Sequence, residues 1–122
     1  MKCIEAIIKP SLLEDVKRRV RQVGVKTMTL SDVTDCGGTG GRQMIYRTSY
    51  LVDSVSRVRI QTIVDEDMVA PVVDAIMASA RPGEIDNGTI SLYPVAETMR
   101  IEAGVGPYKA IHELHPDHAR VA

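Results

Sequence analysis

The chain has no tryptophan and no phenylalanine; its four tyrosines are its whole aromatic content. Any core must therefore be packed from Ile, Val, Leu, Met and Ala. Cysteine is nearly absent too: Cys3 and Cys36 are too few and too far apart for a disulfide framework, which points to a reducing compartment. Neither sign of charge dominates, with 15 basic and 16 acidic residues and a formal net charge of -1. That balance argues against a nucleic-acid partner held by a global basic field, and against an acidic disordered tail. Long apolar runs are missing as well. The opening "MKCIEAIIKP" is interrupted by Glu5 and Lys9, so it reads as neither signal peptide nor membrane span. The expectation is a cytoplasmic protein without membrane insertion. No Ser-His-Asp set and no paired carboxylates stand out, so nothing argues for an enzyme. What is present is 122 residues, 44% of them hydrophobic, enough for one domain around one core.

Hydrophobic spacing gives the order of elements. "CIEAIIK" (3–9) reads as a strand stopped by Pro10. Residues 11–24 read as a helix, with Ser11 and Glu14 spaced as a capping box, Leu12, Leu13, Val16, Val20 and Val23 at helical intervals, and Gly24 at the exit. Residues 25–33 read as a strand, and a long connection follows. Residues 50–64 return as a strand in which Arg57, Arg59 and Gln61 face one way and Val58 and Ile60 the other. Residues 65–80 read as a second helix, with acids at its positive end and a stripe of Val69, Val72, Val73, Ile76 and Ala80. A turn at 81–88, with its Asn87-Gly88 signal, leads to a strand at 89–95, and Met99–Glu102 suggests a further short strand. "IEAIIKPSLLEDV" (4–16) aligns without a gap on "IQTIVDEDMVAPV" (60–72), strand on strand and helix on helix. Two β-α-β units of this kind predict an α+β domain with the ferredoxin-like split βαβ (βαββαβ) topology, one antiparallel sheet with both helices on one face. The other face then needs a polar coat or a second copy.

Several stretches invite a chemical reading. "CGGTGGRQ" (36–43) concentrates four glycines, but it ends in no Gly-Lys-Ser/Thr and no helix follows it, so it fits neither the Walker A loop nor the dinucleotide fingerprint. By itself it is a glycine-rich loop. "RPGEIDNG" (81–88) is by itself a hairpin-type turn. Arg57, Arg59 and Arg100 suit an anion, or a solvated polar face. His112, His115 and His118 in "HELHPDH" are metal-ligating types, but Pro116 breaks the helix that would align them, which favours a solvated tail. Cys36 has no second thiol nearby in sequence.

The order of these pieces resembles one family. "MKCIEAIIKPSLLEDVKRRVRQVGVKTMTLSDV", "YRTSYLVDSVSRVRIQTIVDEDMV" and "RPGEIDNGTISLYPVAETMRI" are similar to successive segments of the PII nitrogen-regulatory signalling proteins, over about residues 1–104. The third segment resembles their Thr-Gly-x-Ile-Gly-Asp-Gly-Lys-Ile signature. The tail, 105–122, falls outside the likeness. The resemblance implies a compact homotrimer that senses adenine nucleotides in clefts between subunits. It also implies a T-loop, about 36–50, that docks on a partner protein. Carried over residue by residue, it places Thr29 near the adenine and Gly37 at the T-loop base. Ile63 and Val64 fall at the adenine-packing position, Gly88 in the phosphate turn, and Arg100 as the first of two phosphate-binding arginines. Gly38 and Thr89 occupy further nucleotide-binding positions.

The departures have a direction. Gly38 and Thr39 stand where the family has arginine and glutamine. Thr89 replaces the lysine after the turn, Glu102 the second arginine, Asp86 the first glycine of the turn, and Gln61 an acid. Arg57 stands where a lysine helps hold 2-oxoglutarate. Each lost charged hydrogen bond is worth ~1.5–3 kcal/mol, and ATP, with most charge at its terminal phosphate, loses most. The expectation is ADP or AMP favoured over ATP. The lost glutamine removes a magnesium ligand and with it the 2-oxoglutarate site. A competing alignment matches "GRQ" at Gly41–Gln43 instead, so that Arg42 and Gln43 take the phosphate and magnesium roles and Mg-ATP and 2-oxoglutarate sensing survives. Some divergent, carboxysome-associated members respond to bicarbonate with ADP or AMP; a small anion of this kind suits Thr39, Arg42, Gln43, Arg47 or Arg57. Tyr50 aligns with a tyrosine uridylylated in some members. The alternative outside nucleotide sensing is a metal-binding ferredoxin-like trimer using the histidine tail and Cys36.

Overall fold

The computed structural model describes residues 1–36, 44–46, 49–51, 54–84 and 86–104. Strand β1 (Lys2–Ile8) leads through a 3-10 turn (Pro10–Leu12) into helix α1 (Leu13–Gln22), and β2 (Thr29–Cys36) follows. A short antiparallel ladder, β3 (Met44–Tyr46) with β4 (Ser49–Leu51), interrupts the long connection. Then come β5 (Ser54–Val64), α2 (Glu66–Met77) and β6 (Gly88–Pro94). The main sheet has the order β2-β5-β1-β6, with every neighbouring pair antiparallel. This is the ferredoxin-like split βαβ topology that the internal echo predicts.

Alternation decides which residues meet the helices. On β1, Ile4, Ala6 and Ile8 are buried; on β5, Val58, Ile60 and Val64 are. Register sets Ile4 opposite Thr62, Ala6 opposite Ile60 and Ile8 opposite Val58, so these side chains share one face. Leu12, Val16 and Val20 of the first turn and helix, and Val72, Ala75 and Ile76 of α2, close over them to form the core. The echoed positions Val16 and Val72 are both fully buried. Burying one such side chain contributes about 1.5–3 kcal/mol. Gly24 leaves α1 with φ +112, its N–H bonded to the Arg21 carbonyl, as expected of a left-handed exit.

Local boundaries differ from the sequence reading. The Ser11–Glu14 capping box does not form: Pro10 sets a 3-10 turn, Ser11 falls inside it, and the helix starts at Leu13 with no side-chain cap. Glu14 instead accepts from Lys17 Nζ at 3.1 Å. The second strand begins at Thr29 rather than Val25, because Val25 is drawn into the core and the Thr27 carbonyl accepts from Thr62 Oγ1. Ala75 on α2 and Ser79 just past its end are buried, where Ala80 is exposed. Residues 99–102 form no strand.

The opposite sheet face carries Cys3, Glu5 and Ile7 of β1, with Arg59, Gln61 and Ile63 of β5 beside them. It is neither apolar nor fully polar. Gln61 Nε2 donates to Glu5 Oε2 at 2.9 Å, and Arg59 Nε donates to Ser31 Oγ at 3.1 Å.

Val16→Ala or Val72→Ala should each cost about 2–3 kcal/mol, read by urea denaturation at fixed protomer concentration. Gly88→Ala should cost more than about 2 kcal/mol. Gly88 has φ +136, and a Cβ there would lie 2.2 Å from the Ile7 carbonyl oxygen. A Gly88→Ala protein as stable as wild type would show that β6 can retreat from β1.

Candidate functional site

Two features sit at opposite ends of β5. At one end, Cys3, Met28, Thr29, Gln61 and Ile63 line a hollow of about 290 Å³. That is near the lower limit for a small-molecule site. It contains Thr29 and Ile63, two of the residues placed near adenine by resemblance. Val64 does not join them. It points to the helix-covered face, is fully buried, and serves the core, leaving Ile63 as the member of the pair that lines the hollow. Burial, then the nearby Glu5 charge, pushes the Cys3 thiol upward, so it is a poor nucleophile.

At the other end lies the turn from Arg81 to Gly88. Asn87 is its internal staple: its Oδ1 accepts from the Arg81 N–H at 2.9 Å, and its Nδ2 donates to the carbonyls of Arg81 and Glu84. Three side-chain contacts fasten the turn to the body, beside the Lys9 N–H that donates to the Asn87 carbonyl at 3.4 Å. Arg81 Nη2 donates to the Ser11 carbonyl at 3.0 Å, Lys9 Nζ donates to Glu84 Oε2 at 2.6 Å, and Arg57 Nη2 donates to Asp86 Oδ2 at 2.5 Å. The Lys9 ammonium holds the Glu84 carboxyl below its ordinary range. Gly88 closes the turn where only a glycine fits against β1, and Thr89 follows it, exposed, opposite Ile7.

Arg57 departs most from expectation. Its strand position allows a solvated polar face, yet it is only 6% exposed. Besides Asp86, the Asp35 carboxylate approaches its Nε at 3.7 Å, while Nε and Nη1 have no hydrogen-bond partner among the described residues. The link from Arg57 to Asp35 and Asp86 is absent from the sequence reading. Its one available signal was that Arg57 and Asp86 both depart from the PII pattern.

Residues 57 and 63 are six strand steps apart, about 20 Å. The hollow with Thr29 and Ile63 and the turn with Gly88 are therefore too distant within one chain for one nucleotide to touch both. Arg100 is exposed beyond β6, whose last residue pairs with Lys2 near the hollow. Gly37, Gly38, Thr39, Arg42, Gln43, Arg47 and the histidine tail lie outside the described residues. The backbone of Tyr50 sits in β4 opposite Ile45. Among the described residues, no helix is long and apolar enough to cross a membrane.

A split βαβ domain with a stapled glycine turn at one sheet end and a hollow at the other is a small α+β domain of the ferredoxin-like class. The chain belongs to the PII family: the family model "Nitrogen regulatory protein P-II" matches residues 1–105. Nitrogen regulatory protein P-II 1 of Escherichia coli K12 is 39% identical over 105 residues, covering 85% of this chain and 94% of that protein. The P-II protein of Klebsiella oxytoca matches equally, and that of Azospirillum brasilense is 37% identical over the same span.

The lowered Glu84 value has a pH consequence. A carboxyl whose folded value is depressed contributes its stability fully above its ordinary value of 4.5, and loses it as pH falls through the depressed one. Melting temperature should fall with acidification below about pH 4.5, and Glu84→Gln should remove part of that slope. Identical pH profiles for the two proteins would show that the Lys9–Glu84 contact does not form in solution.

Proposed function

We infer that this PII-family chain is a regulatory sensor of adenine nucleotides that favours ADP or AMP over ATP and signals through the 36–50 loop to a partner protein. One observation carries the preference. The cations beside the phosphate turn are already engaged by the turn's own carboxylates, Lys9 by Glu84 and Arg57 by Asp86. A terminal phosphate arriving there meets neutralised pairs instead of free positive charge, and each added phosphate charge makes the disadvantage larger. Thr89, following the turn, supplies no cation either.

The separation of the half-pocket from the turn supports a homotrimer in which one subunit's Thr29 and Ile63 face another subunit's turn and loop base. In this reading Arg57 is the seat of a second, small anionic effector such as bicarbonate. The names of the relatives point to nitrogen regulation. Retained Mg-ATP and 2-oxoglutarate sensing would require Gln43 to take the magnesium-ligand role.

Isothermal titration of the full chain with AMP, ADP and ATP, each with and without magnesium, 2-oxoglutarate and bicarbonate, separates these readings. ADP or AMP should bind at least about tenfold more tightly than ATP. ATP binding tightest, and tightened further by 2-oxoglutarate, would overturn the preference and restore the nitrogen-sensing alternative. Melting-temperature gains from divalent metal but not from nucleotide would favour the metal-binding reading.

A further inference from the structure

The Arg57 side chain is 7% exposed, whereas the Asp86 and Asp35 side chains that face it are 61% and 57% exposed. The cation is fixed in the sheet and largely dry; its anions are in water and free to move. A guanidinium offers paired N–H donors that match a planar anion with two oxygens. Asp86 uses only Nη2, through one oxygen, and leaves the buried Nη1 and Nε without a hydrogen bond among the described residues. The seat is thus built for a two-oxygen anion and half used by the protein's own carboxylate.

We propose that Asp86 is a built-in counter-ion that occupies Arg57 in place of a small planar oxyanion, and that the arrival of such an anion unlatches the nucleotide turn from β5. This deepens the reading of Arg57 as an anion seat and rests on it. Exchange is physically easy because the buried cation is never stripped bare: one carboxylate leaves for water as another arrives. The local charge works against the incomer, since one guanidinium faces two carboxylates, and removing either would favour binding. The exchange reaches the nucleotide turn through the chain itself. Asp86 precedes Asn87, whose side chain holds Arg81 and Glu84 and whose carbonyl accepts from the Lys9 N–H. Freeing Asp86 removes one of the three side-chain contacts that fasten this turn to the body.

The test measures the melting temperature of the full-length wild type, Asp86→Asn, Arg57→Gln and Arg57→Lys. Sodium formate is raised in one arm and sodium bicarbonate in another, at ionic strength held constant with chloride. Half-saturation should come at about tenfold lower anion in Asp86→Asn than in wild type. Arg57→Gln should not respond. Arg57→Lys, which keeps the charge without the paired donors, should lose most of the response and covers the case in which the glutamine variant fails to fold. A response to either anion that shifts to lower concentration in Asp86→Asn supports the exchange, and the arm that responds identifies the effector as a carboxylate or bicarbonate. Equal half-saturation in wild type and Asp86→Asn, with the response lost at Arg57, leaves the anion seat standing and removes Asp86 as its occupant. No response in any protein removes the seat as well. Hydrogen exchange at the Asn87 and Gly88 amides should quicken in anion-saturated wild type; unchanged exchange would overturn the unlatching.

Discussion

The strict alternation along β5 decides where every other element can sit. Val58, Ile60 and Val64 must face the helices, which forces Arg57, Arg59, Gln61 and Ile63 onto the opposite face. A slip of one residue would put guanidinium groups under α1 and α2 and valines in water, so the register is fixed by burial alone. Because β5 lies between β2 and β1, its register also fixes theirs: Thr29 beside Gln61, and Ile7 beside Arg59. The hollow with Thr29 and Ile63 and the buried Arg57 occupy the two ends of this one strand as a result.

The turn from Arg81 to Gly88 shows how a family frame takes on new chemistry without refolding. Its backbone is set by Gly88, pressed against the Ile7 carbonyl, and by the Asn87 staple, neither of which depends on ligand. Charge can then be rewritten around it. Glu84 and Asp86 bring acids to the turn, and each is matched by a cation from the body, Lys9 and Arg57. A pair in which the cation is buried and the anion exposed is asymmetric. Desolvating the buried guanidinium offsets much of the attraction, so such a pair adds little net stability.

Much of the fold was legible because it follows from periodicity. The echo between 4–16 and 60–72 gave both β-α units, and Val16 and Val72 occupy equivalent buried positions. The misplaced details came from competition between local and tertiary effects. Pro10 overrode the Ser11–Glu14 cap by setting a 3-10 turn, and the core drew Val25 away from the second strand. The site was legible only in part. Thr29 and Ile63 sit in one hollow, but Val64 belongs to the core, a difference of one strand position that resemblance does not resolve. The contact between Arg57 and Asp86 joins residues 29 apart. No helical or strand spacing links them, so only the tertiary fold shows that two departures from the family pattern are one feature.

The strand order has a consequence for how the chain comes to exist. Its two β-α-β units do not form separate halves of the sheet. In β2-β5-β1-β6, strands of the first unit alternate with strands of the second, and β1 finds no partner until β5 has been made. A nascent chain that has emerged only as far as β2 can form α1 but no part of the main ladder. None of the main ladder can therefore form until β5, which pairs with both β2 and β1, has left the ribosome, so the sheet is expected to assemble late in synthesis.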